Sequence, residues 1–588
     1  MIAFLRGVGA TIVGLILFCF LLLLIGGAII GAIASKEDEV KVEKNTVLHL
    51  RLDKPIVERA SDHELQFLEA LPGFEGGQIG LVELLEAIRH AKEDDKIEGI
   101  VLEPQFLMAG YASLKEIRDQ LEDFRSEGKW IYAYSEIYTE KDYYLASVAD
   151  KVYLNPAGML ELNGLVSEPV FIKGTLEKLG VEPQIFRVGE FKSAVEPLMR
   201  TDMSEASREQ TQSFLNNIYQ TFLTDVSRSR GIEVNELERI SDEMLVRRAE
   251  DAITYKIADQ LGYLDQIHAE IRGRLGLESE TDKINTVSYA KYRKSYKSET
   301  SGSDRIAVIV ASGDIVTGKG DNQTIGSDKF AKLIREARLN DRVKAVVVRI
   351  NSPGGSALAS DVMWREIVLT SQSKPIIASM SDVAASGGYY MAMGCDTIVA
   401  QPNTITGSIG IFGVLFNMQQ LLNDKLGITT DVVETGELSN LFKVTRPLSE
   451  FEKGIVQQSI NDGYEMFTSK AAEGRNMPKE ALLEVASGRV WSGIEAKERG
   501  LVDVLGGLDV AIDIAAAKAG LELGKYRLRY YPEKQSFLEE LLGKTEEEIQ
   551  TRALQKEFGA FFPWVKQLQK MERFQGIQAR MPYDLVIE

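Results

Sequence analysis

The chain contains two copies of one segment at a constant spacing, and this repeat limits the possible folds more than any other feature. Residues 142–150 (DYYLASVAD) resemble residues 388–396 (GYYMAMGCD), which lie 246 positions further on (396 minus 150). The same offset relates Ile88 to Ile334. So regular a spacing indicates an ungapped duplication, and the fold must therefore be one that two similar units can share.

Each copy alternates apolar, β-branched runs with amphipathic stretches. The runs with strand character are 45–52, 97–103 and 129–136 in the first copy and 305–315, 344–351 and 375–382 in the second. This alternation is typical of an α/β fold with largely parallel strands. We therefore predict two tandem α/β domains, at 46–277 and 304–530, with a polar hinge at 278–303 and a charged, helical tail at 531–588.

An uncharged segment precedes the repeats. Residues 7–35 carry no charged side chain, and about 20 apolar residues suffice to cross a bilayer. Arg6 precedes the segment and favours a cytoplasmic amino terminus. The alternative is a cleaved signal peptide with a cleavage-like motif at 32–34, but the apolar core of such a peptide is only about half as long. We predict a single-pass anchor at 1–35 in the inner membrane, with the body in the periplasm of a Gram-negative bacterium.

The composition argues against several classes of protein. A formal net charge of −19 argues against nucleic acid as a partner, because phosphate binding requires clustered Lys and Arg. Two cysteines, Cys19 and Cys395, do not support a disulfide framework or a cysteine-based zinc site. All four histidines lie in the first 268 residues, so the second copy has none for a conventional catalytic triad. We expect neither a metal nor a cofactor.

The second copy contains a glycine-rich turn that the first copy lacks. Residues 351–355 (NSPGG) end the strand-like run 344–351, and paired glycines after a strand can leave backbone amides facing an open site. At the corresponding position the first copy reads QFLMA (105–109). A plain turn is the alternative for this motif on its own.

A serine follows the next strand-like run. Ser386 lies between the run 375–382 and a helical stretch that begins at Gly387, where the helix dipole and free amides can stabilise an oxyanion. A helix-capping serine is the alternative. The first copy has Glu140 at this position. Because the first copy lacks both the serine and the glycine pair, we predict that they act together, with the amides of Gly355 and Gly387 as an oxyanion hole.

A serine nucleophile needs a base, and the second copy has no histidine. A lysine can serve if burial lowers its pKa from about 10.4 to roughly 7–8. Two lysines are candidates: Lys443, in LFKVTRPLS of the second copy, and Lys192, in GEFKSAVEP of the first. The residue pattern alone leaves the choice between them open.

Four motifs occur together in this chain: SPGG (352–355), AASGGYY (384–390), TGSIGIFG (406–413) and GEFKSAVEP (189–197). With the apolar segment and the duplication, they resemble the long, duplicated signal peptide peptidases of bacteria, the protease IV family. The resemblance implies a Clp-protease-like, crotonase-related fold and a Ser/Lys dyad split between the copies. Ser386 is then the nucleophile and Lys192 the general base, and Ser408 matches the family serine that hydrogen-bonds the lysine.

The same resemblance implies a membrane-anchored homotetramer that hydrolyses cleaved signal peptides and other extended apolar peptides. Two other functions are compatible with the residue pattern. A crotonase-like acyl-CoA enzyme would use the same paired amides without needing Ser386, and a non-catalytic membrane scaffold would need neither. Labelling of Ser386 by a fluorophosphonate distinguishes the peptidase from the first alternative, and peptide cleavage distinguishes it from the second.

Overall fold

The computed structural model describes residues 40–60, 77–277, 279, 281–296, 302–321, 323–522, 524–533, 576–581 and 587, with six isolated positions before residue 22. Within these ranges, no helix is long and apolar enough to cross a membrane. The anchor predicted at 1–35 falls outside the described residues apart from the six isolated positions.

The first half of the chain forms an α/β unit. Its strands are β1 (Thr46–Leu52), β2 (Ile56–Val57), β3 (Ile79–Gly80), β4 (Ile97–Pro104), β5 (Trp130–Tyr138), β6 (Lys151–Leu160), β7 (Glu182–Arg187), β8 (Gln260–Leu261) and β9 (Asn285–Ser288). Its helices are α1 (Leu81–Glu93), α2 (Tyr111–Ser126), α3 (Glu140–Ala146), α4 (Lys173–Leu179), α5 (Glu196–Met199), α6 (Glu205–Arg230), α7 (Val234–Asp242), α8 (Ala249–Thr254), α9 (Leu264–Arg274) and α10 (Tyr289–Tyr292). The main sheet has the order β8-β6-β5-β4-β1-β9, with all neighbours parallel.

The second half forms another α/β unit. Its strands are β10 (Arg305–Ser312), β11 (Asp314–Val316), β12 (Thr324–Gly326), β13 (Val343–Ser352), β14 (Gly354–Ser356), β15 (Ile376–Ala385), β16 (Thr397–Ala400), β17 (Ile405–Gly407), β18 (Phe412–Asn417), β19 (Val490–Ser492), β20 (Val504–Leu505), β21 (Arg527–Tyr531) and β22 (Gly576–Arg580). Its helices are α11 (Ser327–Leu339), α12 (Ala357–Ser371), α13 (Gly387–Ala392), α14 (Glu450–Gly474), α15 (Lys479–Val485), α16 (Gly493–Glu498) and α17 (Leu508–Lys518). The main sheet has the order β19-β17-β15-β13-β10-β21, and β16 also pairs with β15.

The two units repeat the same arrangement of strands and helices. The order β5-β4-β1-β9 of the first sheet corresponds to β15-β13-β10-β21 of the second. Helices α1 and α11 begin 246 positions apart (327 minus 81), and so do α2 and α12 (357 minus 111). The prediction of two tandem α/β units is therefore confirmed.

Strand β13 illustrates why the sequence folds in this way. Its residues 345–350 are all buried, as expected for a central parallel strand covered on both faces. Val346 and Val348 pack into one apolar core, whereas Ala345 and Val347 pack into another on the opposite face. Such a strand requires consecutive buried residues rather than alternating ones, and the one charged residue among them, Arg349, is paired with buried carboxylates.

A third sheet joins the two units and positions the functional site. Its order is β12-β11-β14-β22-β18-β7, so that β7 of the first unit lies beside β18 of the second. These two strands are antiparallel, with Arg187 opposite Phe412. The chain that follows β7 is therefore carried into the second unit, next to the residues that precede β18.

Buried charges also hold the units together. Arg349, on β13, donates from Nη2 to Glu116 Oε2 at 2.6 Å and from Nε to Glu58 Oε2 at 2.9 Å. Asp382 accepts hydrogen bonds from the backbone N–H and the hydroxyl of Ser113, at 2.8 and 2.6 Å. Removing one partner of such a buried pair costs about 3–5 kcal/mol, so these contacts fix the relative position of the units.

Two features of the predicted domain organisation need correction. The hinge predicted at 278–303 contains β9 and α10, because β9 pairs with β1 and extends the first sheet. The tail predicted to be helical at 531–588 lies mostly outside the described residues, and its described part includes a strand at Gly576–Arg580, which pairs with β14 and β18. Both segments are polar in sequence, and their strand structure depends on partners that are distant along the chain.

Candidate active site

Ser386 lies at the sharp turn between β15 and α13. Its φ and ψ angles are 55° and −109°, a combination that costs energy for a residue with a side chain. Its N–H donates to the carbonyl oxygen of Gly407 at 2.8 Å, which fixes the turn against β17. Such a strained strand-to-helix turn directs a serine hydroxyl towards a reacting group.

Lys192 reaches Ser386 from the first unit. After β7, the N–H of Val188 donates to the carbonyl oxygen of Ile411 at 3.1 Å, and the chain then turns inward. Lys192 Nζ lies 2.8 Å from Ser386 Oγ and 3.0 Å from both Oγ and the carbonyl oxygen of Ser408. The structure thus brings together Ser386, Lys192 and Ser408, and all three are fully buried.

Burial controls the charge of this lysine. Lys192 has no exposed surface, and desolvation lowers its pKa well below its ordinary value. The cause is that a low-dielectric environment disfavours the ammonium form. The site therefore favours the neutral amine, which can accept a proton.

Residues that the sequence analysis missed hold the lysine in place. A Cβ atom at Gly488 would lie 2.7 Å from Lys192 Cβ, so only glycine allows the loop of the second unit to approach so closely. Gln210 donates from Nε2 to the carbonyl oxygen of Phe191 at 3.1 Å and to Ser193 Oγ at 2.8 Å. No local motif marks Gly488 or Gln210, and only the three-dimensional contact reveals their role.

The glycine turn lies beside the serine. Gly354 and Gly355 have φ angles of 104° and 153°, which favour glycine. A Cβ atom at Gly354 would lie 2.8 Å from the backbone nitrogen of Gly387, and one at Gly355 would lie 2.1 Å from the carbonyl oxygen of Ile315. Gly354 therefore lies against Gly387, the residue that follows Ser386, while Gly355 lies against Ile315 of β11.

The alternative base is distant from this arrangement. Lys443 is exposed in the segment between β18 and α14, and its backbone N–H donates to the carbonyl oxygen of Asn440. Over the described ranges, no group of three His, Cys, Asp or Glu side chains is arranged to hold a metal ion. A hydroxyl, an amine and backbone donors in one buried site form a set suited to acyl transfer.

The corresponding site of the first unit has different chemistry. Glu140 takes the place of Ser386, and its Oε1 accepts hydrogen bonds from the N–H groups of Asn163 and Gly164 at 2.9 and 2.7 Å. Burial raises the pKa of Glu140 to about 7. Asp142 accepts from the N–H groups of Phe106 and Leu107, at 3.2 and 3.0 Å.

Known proteins share this organisation. Peptidase family S49 matches residues 123–278 and 369–522, one region in each unit. The chain is 38% identical to the chloroplastic serine protease SPPA of Arabidopsis thaliana over 457 residues, which cover 76% of this chain and 67% of that protein. It is 36% identical to Protease 4 of Salmonella typhi over 537 residues, which cover 89% of this chain and 86% of that protein.

Among solved structures, a ClpP1 mutant of Listeria monocytogenes aligns with a TM-score of 0.24 and 15% sequence identity, over 35% of this chain and 94% of its own. The family assignment depends on the sequence matches, which occupy both units and most of the chain. This protein belongs to peptidase family S49, as a serine protease of the long type that contains the family unit twice.

Proposed function

We propose that this protein is a membrane-anchored endopeptidase with a Ser/Lys dyad split between its two units. Ser386 is the nucleophile, Lys192 is the general base and Ser408 orients the lysine, while the N–H groups of Gly355 and Gly387 form the oxyanion hole. The observation that carries the proposal is the buried contact of 2.8 Å between Lys192 Nζ and Ser386 Oγ.

Acylation begins with the neutral lysine. Because burial lowers the pKa of Lys192, a larger fraction of the amine is unprotonated near neutral pH. Nζ accepts the proton of Ser386 as Oγ attacks the carbonyl carbon of the bound peptide. The two N–H donors stabilise the charge that develops on the carbonyl oxygen, and one such donor contributes about a hundredfold to a thousandfold in rate.

The same lysine completes the cycle. The Lys192 ammonium donates its proton to the leaving amine as the peptide C–N bond breaks, which leaves an acyl group on Ser386. Water then attacks the ester carbonyl carbon while neutral Lys192 accepts a proton from the water. Collapse of the second tetrahedral intermediate returns the proton from Lys192 to Ser386 Oγ and releases the new carboxylic acid, which loses its proton to water.

Ser408 sets the direction of the amine. Its hydroxyl and carbonyl oxygens each lie 3.0 Å from Lys192 Nζ. A neutral amine has two N–H donors and one lone pair, so donation of both N–H groups to Ser408 leaves the lone pair directed at Ser386 Oγ. Ser408 is therefore a positioning residue, which acts on the substrate through the lysine.

We propose cleaved signal peptides and other extended apolar peptides as the substrates. A relative from Enterococcus faecium named putative signal peptide peptidase SppA supports this, with 35% identity over 185 residues, 31% of this chain and 54% of that protein. The apolar segment 7–35 supports an inner-membrane anchor with a periplasmic body. A homotetramer stays a prediction from the resemblance.

Covalent labelling tests the nucleophile directly. The detergent-solubilised full chain is treated with a fluorophosphonate and digested, and the modified peptide is identified by mass spectrometry. We expect one adduct at Ser386, loss of labelling in Ser386→Ala, and retained labelling in Ser356→Ala, a matched serine on the neighbouring turn. Equal labelling of wild type and Ser386→Ala would refute the proposed nucleophile and leave the acyl-CoA and scaffold alternatives.

A further inference from the structure

Strand β22 (Gly576–Arg580) lies next to the proposed oxyanion turn. It pairs antiparallel with β14, which contains Gly354 and Gly355, and antiparallel with β18 on its other side. A strand in this position has its backbone hydrogen-bonded on both edges, as an extended peptide has when it is added to a sheet. The cleft between β14 and β18 is thus shaped for a peptide strand and is occupied by the chain itself.

The register places one carbonyl group at the catalytic amides. Ala579 is opposite Gly355, and the N–H of Met581 donates to the carbonyl oxygen of Pro353 at 2.7 Å. Because hydrogen-bonded pairs alternate in an antiparallel ladder, Gly355 and Ala579 form the next such pair. The N–H of Gly355 is therefore directed at the Ala579 carbonyl oxygen.

The second oxyanion residue lies against the same oxygen. A Cβ atom at Gly387 would lie 3.1 Å from the carbonyl oxygen of Ala579, and one at Gly354 would lie 2.1 Å from it. This oxygen therefore lies beside Gly354 and Gly387 next to the Ser386 turn, and we align it with the carbonyl oxygen of a substrate. In that alignment, Ala579 is the residue before the reacting bond and Arg580 is the residue after it.

The side chains on the two sides of this bond meet different surroundings. The Ala579 side chain is fully buried, so the cleft encloses a small group there. Arg580 Nη1 lies 3.1 Å from Asp314 Oδ2, and their side chains are only 5% and 14% exposed. An ion pair removed from water to this extent discriminates strongly between a basic and an acidic partner.

We propose that residues 576–581 occupy the protein's own peptide-binding cleft as a substrate-like competitor, and that Asp314 recognises a basic residue directly after the reacting bond. The proposal rests on the proposed peptidase function of the same site. A covalently attached segment competes at an effective concentration on the order of mM. A free peptide must therefore displace this strand, and the ion pair between Arg580 and Asp314 holds the strand in its register.

Charge reversal tests the competition. The assay measures kcat/KM of the full chain on a quenched fluorescent peptide with alanine on both sides of the cleaved bond. We expect Arg580→Glu to raise kcat/KM about tenfold, since a change of 1.4 kcal/mol in strand binding corresponds to that factor. The matched control is Arg125→Glu, which breaks an Arg–Asp pair with Asp150 at 2.5 Å in the first unit and is expected to leave kcat/KM unchanged.

A double variant distinguishes a lost ion pair from a fold defect. Arg580→Glu combined with Asp314→Arg restores an opposite-charge pair, and we expect kcat/KM to return towards the wild-type value. A second assay tests recognition of the residue after the cleaved bond. We expect the kcat/KM of wild type to be about tenfold higher for a peptide with Arg after the cleaved alanine than for one with Glu. Asp314→Ala is expected to lose this preference.

The outcomes separate this inference from the proposed function. If a fluorophosphonate modifies Ser386 equally fast in wild type, Arg580→Glu and Arg125→Glu, and kcat/KM is equal in all three, the competitor is refuted while the nucleophile stands. If Ser386 is not modified in any of them, the proposed function itself fails. An unchanged Arg-over-Glu preference in Asp314→Ala overturns the role of Asp314.

Discussion

The same turn serves opposite purposes in the two units. In the second unit, Ser386 and Gly388 occupy the positions that Glu140 and Asp142 occupy in the first. The two carboxylates accept hydrogen bonds from backbone N–H groups of their own unit. The first unit thus uses these backbone donors for its own structure, whereas in the proposed mechanism the second presents amides to the carbonyl group of a peptide.

The comparison explains why both copies are needed. The first unit lacks the serine and the glycine turn, but β7 pairs with β18 and delivers Lys192 to the second unit. The second unit contains the serine and the amides, and its Lys443 is exposed. In the proposed mechanism, the first unit supports the structure and supplies the base, and the second carries out bond cleavage.

The largest expected effect comes from substitutions at Ser386 and at Glu140, its equivalent in the first unit. Ser386→Ala lowers kcat/KM for peptide hydrolysis by about ten thousandfold or more, because the nucleophile is lost. Glu140→Ser places a hydroxyl at the equivalent position without the glycine turn. We therefore expect Glu140→Ser/Ser386→Ala to stay as inactive as Ser386→Ala in a quenched fluorescent peptide assay. Hydrolysis recovered by the double variant would show that the first unit can also form a site.

The second largest effect is expected from a substitution in the glycine turn, at Gly355. A Cβ atom at Gly355 would lie 2.1 Å from the carbonyl oxygen of Ile315, so Gly355→Ala displaces the oxyanion N–H and lowers kcat by about a hundredfold to a thousandfold. The matched variant is Ala109→Gly at the equivalent position of the first unit, which is expected to leave kcat unchanged. Thermal unfolding of both variants reports whether the fold is retained. Equal kcat values for Gly355→Ala and wild type would remove this residue from the mechanism.

The smallest effect concerns stability and pH. Burial raises the pKa of Glu140 to about 7, above the value of about 4.3 for an unfolded chain. At this position the folded state therefore binds more protons between these values, so the contribution of Glu140 to the free energy of unfolding is greatest below about pH 4 and is lost as pH rises to 7. The loss is about 4 kcal/mol, from a difference of about 2.7 pKa units at 1.36 kcal/mol each.

Glu140→Gln cannot titrate at this position and is the matched comparison. We expect the melting temperature of wild type to fall relative to that of Glu140→Gln between pH 5 and pH 8. Ser386 has no titratable carboxylate, so Ser386→Ala should follow the wild-type pH dependence. If the melting temperatures of wild type and Glu140→Gln change in parallel with pH, the buried environment assigned to Glu140 is contradicted.

Short sequence patterns are sufficient to predict the α/β architecture and the positions of Ser386 and the glycine turn. The duplication and the α/β architecture followed from spacing and from runs such as that of β13. The positions of Ser386 and the glycine turn followed from comparing the two copies. Each of these signals is contained in a short stretch of chain, where backbone preferences and burial act directly.

Features that depend on distant pairing could not be read from the residues. The residue pattern alone leaves the choice between Lys192 and Lys443 open, because it depends on β7 pairing with a strand more than 200 positions away. The polar composition of 285–288 obscured β9, and that of the tail obscured β22. In each case the strand acquires its structure from the edge that it covers rather than from its own sequence.

The claim that the first unit supplies the base is tested most directly by comparing Lys192→Ala with Lys443→Ala. The measurement is kcat/KM for the same fluorescent peptide, with the full chain and with folding checked by thermal unfolding. We predict that Lys192→Ala falls to the level of Ser386→Ala, while Lys443→Ala stays at the wild-type value. Activity that survives Lys192→Ala and is lost in Lys443→Ala would contradict the split dyad.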